Sequence, residues 1–258
     1  MFASYGKILD PLDWGSSGHG DNANFAGGGI VKLVVGGAFT LNGKVLSKGF
    51  GYPGLTLTAA HNGTAGASTG GSINITTGTL SGNGTINADG GSDEYGGNGS
   101  GGRIRVKLTA QDATFDGQSI TMYARGGVGD GPKANVVDAA AGTIALQTAA
   151  DNDRSGTVIV KNRIRRIDNV DVPVGATHFP SMLNGDRRLN GVKLVVESDT
   201  FVKLTRNVSI HELTIAGSNV NRGVYTAEQL NEIVGKSIFS GSGVLTVGGG
   251  SGFTVTIR

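Results

Sequence analysis

Apolar and polar positions alternate in short bursts along this chain, and the bursts recur. Ile104, Val106 and Leu108 alternate with Arg103, Arg105 and Lys107, and Ile73 and Ile75 flank Asn74 in the same way. A two-residue period over four to eight positions predicts a strand with one face inward and one outward. Three segments share a plan: Gly27 to Gly49, Gly70 to Gly91 and Gly101 to Gly127, with a degenerate fourth from Gly142. Each plan reads as a strand, a tight turn (Asn42-Gly43, Asn83-Gly84, Asp116-Gly117), a second strand and a glycine-rich excursion. Asn-Gly and Asp-Gly are expected at such turns because they tolerate positive φ.

A two-strand unit cannot bury its apolar face alone. Stacking successive units solves this, so that Ile73, Ile104 and Ile144 form one column. The spacing between equivalent positions is uneven, at roughly thirty to forty residues. The glycine excursions must absorb the difference, as polyproline-II-like segments or as loops on one face. The expected fold is therefore all-β: a right-handed parallel β-helix, or solenoid, with glycine-rich loops. Residues 1–150 read as glycine-rich solenoid repeats. Residues 151–258 read as more regular rungs with a terminal cap, continuous with the first part. One short helix is expected near the C-terminus, where Thr226 and Gln229 form a capping box, Leu230 and Ile233 an apolar stripe, and Gly235 a stop.

Composition sharpens this picture. Glycine supplies 46 of 258 residues, while proline supplies only 5, which excludes collagen. Charge is sparse at 16% and nearly balanced at +2, so no strong field points to nucleic acid or to an anionic membrane. Cysteine is absent, which removes disulfides and thiolate metal sites. No membrane-length apolar run or signal segment is present, and the chain reads as a fragment of something larger.

The stretch Pro11-Leu-Asp-Trp-Gly-Ser-Ser-Gly, the unit from Gly70 to Gly91, Ala141-Gly-Thr-Ile-Ala-Leu, and the segments from Gly223 and Phe239 carry a resemblance. They resemble glycine-rich parallel β-helix regions of large exported bacterial surface proteins of the autotransporter and adhesin kind. The resemblance implies an extracellular or cell-surface scaffold and brings no catalytic residues with it.

Candidate chemistry is thin. Carboxylate pairs at Asp93/Glu94, Asp112/Asp116 and Asp151/Asp153 could serve a polysaccharide hydrolase, and the row Arg103, Arg105, Lys107 could face a uronate in a lyase. All three pairs fall in predicted turns, where aspartate ordinarily holds its own backbone. The loops Asp89-Gly-Gly-Ser-Asp-Glu and Gly126-Gly-Val-Gly-Asp are weak calcium candidates without the nine-residue recurrence of such repeats. His19, His61, His178 and His211 are scattered, and the basic run from Lys161 is expected to pair with Asp168 and Asp171. Trp14 is expected to pack over the end of the stack. Tyr95, with Asp93, Glu94, Arg103 and Arg105, makes the candidate binding set.

These features favour a non-catalytic structural or adhesive module that contacts glycans or other copies of itself, with no cofactor and no metal site. The alternatives are a polysaccharide-active enzyme and a phage or virion fibre-type receptor-binding adhesin.

Overall fold

The computed structural model describes residues 6–18, 26–51, 66–93, 97–128, 139–163, 166–167, 170–171, 177–179, 189–198 and 200–248. In its first half each of the three full repeats contributes two strands and the degenerate fourth contributes one. The long ones are β1 (Ile30–Thr40), β3 (Ser72–Ser81), β5 (Arg103–Leu108) and β7 (Thr143–Gln147), and the short ones are β2 (Lys44–Leu46), β4 (Thr85–Asn87) and β6 (Thr121–Tyr123). The long strands stack in parallel in chain order, and the short ones form a second parallel sheet. The register pairs Val31 with Ile73, Ile73 with Ile104 and Ile104 with Ile144. The last three share one core with Ile75, Ile86, Val106 and Leu108. Each such aliphatic side chain contributes about 1.5–3 kcal/mol on burial, so the column is what holds the layers together.

The described parts of the glycine excursions run as a bundle of extended segments. Along residues 67–72, successive N–H groups donate to three neighbours in rotation. Ala67 and Gly70 donate to the carbonyls of Gly97 and Ser100, Ser68 and Gly71 to those of Phe50 and Ser47, and Thr69 and Ser72 to those of Ser16 and Gly29. A three-residue rotation is the helical repeat of polyproline II, which has no internal hydrogen bonds and must find all its partners sideways. Neighbouring segments then lie so close that a side chain has no room. A Cβ on Gly142 would strike the carbonyl of Gly102, and one on Gly102 the carbonyl of Gly71. Composition here follows from packing.

A single right-handed parallel β-helix is not what the second half builds. β7 turns back through a tight loop into β8 (Ser155–Val160), and the two pair antiparallel, Ala145 opposite Val158. Two short strands, β9 (Arg166–Ile167) and β10 (Val170–Asp171), form a separate antiparallel pair, and β11 (Thr177–Phe179) follows. Then β12 (Gly191–Val196) joins β8 in parallel, completing a strand order of β1-β3-β5-β7-β8-β12 in one sheet. β13 (Val202–Leu204) and β14 (Val208–Ile210) leave this sheet, and β15 (Glu212–Ile215) returns to it beside β12. β16 (Ser218–Val220) closes it as an antiparallel hairpin with β15.

The physical reason for the departure is a change of face. In β3 and β5 the apolar residues point to one side of the sheet and Asn74, Arg103, Arg105 and Lys107 to the other. In β12 and β15 the same two sides are reversed. The row that holds Asn74 and Arg105 continues through Ala145 and Val158 to Leu194 and Leu213. Those last four residues belong to a second core on the opposite face. β7 and β8 are apolar on both sides: Ile144, Leu146 and Ile159 serve the first core, and Ala145, Val158 and Val160 the second. One sheet thus separates two cores, and the expected single dry interior is replaced by two.

The remaining elements wrap the second core. β17 (Gly223–Tyr225) precedes helix α1 (Ala227–Val234), followed by β18 (Phe239–Ser240) and β19 (Leu245–Val247). β18 pairs with β13 and β13 with β11, while β19 lies between β14 and β17. Thr226 and Gln229 form the capping box as expected, and Gly235 ends the helix in a left-handed conformation at φ 66°. Leu230 is fully buried, but Ile233 points to water, so the helix seats on a narrower face than its apolar stripe suggested.

Candidate functional site

The basic row does not line an open groove. The segment of residues 6–18 lies over it, with Ile8 and Leu9 in the second core. Asp10 accepts a hydrogen bond from Asn74 Nδ2 at 2.9 Å, and Ser72 Oγ donates to the Asp13 carbonyl at 2.7 Å. Arg105 donates through Nη1 to Asn74 Oδ1 and Thr76 Oγ1, each at 3.0 Å, and through Nε to Gln147 Oε1 at 2.9 Å. Gln147 hands the chain on, donating to the carbonyls of Asn152 in the β7–β8 loop and of Ser155 at the start of β8. Arg103 reaches Thr143 Oγ1 at 3.3 Å, and Lys107 reaches the Asp151 carbonyl at 3.4 Å. Burial lowers the pKa of Arg105 from its ordinary value, and the Asp10 carboxylate opposes that fall. Three strands, an N-terminal segment and a loop are tied through one guanidinium.

A second charged cluster forms where the two halves meet. Asp89 is 1% exposed. Its Oδ2 lies 2.7 Å from Arg125 Nη2 and 3.0 Å from Arg163 Nη2, and its Oδ1 accepts the Arg125 backbone N–H at 2.7 Å. The Arg125 guanidinium also sits 3.8 Å above the centroid of the Tyr123 ring, a cation–π arrangement. Burial alone would raise the Asp89 pKa. The Arg125 hydrogen bonds and the charges of Arg125 and Arg163 outweigh it and hold the carboxyl below the ordinary value of 3.8. The calcium expectation at this loop meets an aspartate whose oxygens face two guanidinium groups. No group of three or more metal-ligating side chains occurs among the described residues.

The remaining candidates separate. Asp93 is buried, with its N–H on Asn98 Oδ1 at 2.9 Å, so it is not part of an exposed contact surface. Glu94, Tyr95 and Asp130 lie outside the described residues, as do His19, His61 and Asp168. Asp112 and Asp116 are exposed in a turn. Asp151 holds its own loop, accepting from Thr148 N–H and Ser155 Oγ, each at 2.9 Å. His211 is half exposed, 3.8 Å from Glu212. Of the basic run from Lys161, Arg163 turns to Asp89. Trp14 is 70% exposed, against the expectation that it packs over the stack end.

One open cleft of about 520 Å³ lies on the second half. Its polar lining is Arg154 from the β7–β8 loop, Asn190 ahead of β12, Asn207 and Ser209 at β14, and Thr246 of β19. Asn207 Oδ1 accepts the Val244 N–H at 3.0 Å, which fixes the amide that faces the cleft. Amides and hydroxyls with one guanidinium suit a ligand rich in hydroxyl groups. Neither this cleft nor the Asp89 clamp carries a sequence signal, because their members come from loops and strands far apart in the chain. No known protein family, curated protein or solved structure matches this chain.

Proposed function

We propose that this chain is a non-catalytic structural or adhesive module of an extracellular or cell-surface protein, with the Arg154 cleft as its glycan contact. One observation carries the reading: the arginines that a charged groove would need serve as cross-braces. Arg105 joins Asn74, Thr76 and Gln147, while Arg125 and Arg163 close on Asp89. Each guanidinium so engaged is spent on holding layers in register. The resemblance of the repeat units to glycine-rich regions of exported bacterial surface proteins supports the location.

The test is incubation with a panel of neutral and uronic-acid polysaccharides, scored for both chemistry and retention. The expected outcome is no new unsaturated or reducing ends, with retention of at least one glycan that weakens about tenfold in Arg154→Ala, as for loss of a hydrogen bond to a charged group. Release of new chain ends would place the protein among polysaccharide-active enzymes instead.

A further inference from the structure

Most of the large apolar side chains left in water belong to the first fifty residues. Among the described residues, Leu12, Trp14, Val34, Leu46 and Phe50 are exposed, all before residue 51; only Val224 and Ile233 join them from elsewhere. β1 is the outermost strand of the eight-stranded sheet and β2 the outermost of its own sheet, and no described residue pairs with their outer edges. β1 runs for 11 residues, and its Val31, Leu33 and Phe39 pack on the first core while remaining half exposed. A long edge with unpaired backbone groups and alternating apolar residues is a template for another strand.

We propose that this edge pairs with the same edge of a second copy, β1 against β1 antiparallel, with Leu33 on the two-fold axis. The sequence of β1 is self-complementary in that register. Val31 of one copy lies opposite Val35 of the other and Leu33 opposite Leu33, so the first core continues across the axis. On the other face Lys32 lies opposite Val34, which is 71% exposed in the single chain, and the lysine stem can cover it. The paired stretch ends at the irregularity between Val35 and Ala38, where a bulge breaks the edge.

The far end of the same sheet is β16, three residues long and folded back as a hairpin. It offers no matching long edge, so head-to-tail stacking is not available and the pairing closes as a dimer. The two Lys32 side chains sit diagonally across the axis, so added salt strengthens the dimer. An acidic partner protein on Lys32, Lys44 and Lys48 would show the opposite salt dependence.

This inference stands apart from the scaffold reading, because an enzyme could carry the same edge; sedimentation and polysaccharide assays fail separately. Sedimentation velocity of the whole chain across the micromolar range should give twice the 26.1 kDa chain mass. Val34→Lys sets lysine against Lys32 and should return the protein to monomer, with an unchanged far-UV spectrum. Directly opposed residues bring Cα atoms to about 4.5–5.5 Å, within disulfide reach. Leu33→Cys, in a chain without cysteine, should therefore cross-link on mild oxidation, whereas Val224→Cys should not. A monomer at every concentration, a dimer indifferent to Val34→Lys, or cross-linking at Val224→Cys but not Leu33→Cys overturns the proposal.

Discussion

Asp89 shows how much one buried charge can be asked to hold. It receives the Arg125 guanidinium and backbone N–H and the Arg163 guanidinium, and Arg163 stands 74 residues further along the chain. Removing one partner of a buried pair costs roughly 3–5 kcal/mol, because the other charges remain desolvated. Asp89→Asn is expected to lower stability by about that amount at neutral pH. Since the folded carboxyl titrates below 3.8, its contribution is complete above that value and disappears as pH falls through the folded pKa. Urea unfolding of both proteins should show a gap that is widest at neutral pH and narrows in acid; a gap that persists unchanged in acid would mean the carboxylate charge is not the cause.

At the scale of elements, glycine serves two different purposes. Gly117 takes φ 68° in its turn, as an Asp-Gly turn requires, but Gly43 and Gly84 do not adopt positive φ. Gly84 is needed for space, because a Cβ there would press on Leu41. Gly43 has no neighbour within 4 Å of that position. Gly43→Ala is therefore expected to be neutral or to stabilise by about 0.4–1 kcal/mol through the unfolded chain. Gly142→Ala drives a methyl into the Gly102 carbonyl and is expected to cost at least about 1–3 kcal/mol. Thermal denaturation of the pair separates the two roles; equal midpoints would contradict the packed bundle.

For the whole molecule, the consequence of two cores on one sheet is shared fate. β7 and β8 give side chains to both, so neither core can open without loosening strands that the other needs. Native-state hydrogen exchange should find the amides of Ile104 in β5 and Leu194 in β12 protected by the same opening free energy. Widely different values would show that the halves unfold independently. The cleft lies on the second half and the open β1 edge on the first. Pairing through β1 would therefore leave the Arg154 cleft of each copy accessible.

Alternation within strands, the capping box at Thr226 and the column through Ile73, Ile104 and Ile144 were legible in the chain, because each depends on residues close in sequence or on a repeated unit. The run Thr157-Val-Ile-Val reads as one more strand, yet only its neighbours decide that both its faces are covered. The same holds for Arg105: its spacing announces an outward side chain, and residues 6–18 determine that outward means beneath another segment. A local pattern specifies which side chains share a face. Which face becomes interior, and where that choice reverses, is set by contacts between segments far apart in the chain, and those exist only once the sheet has assembled.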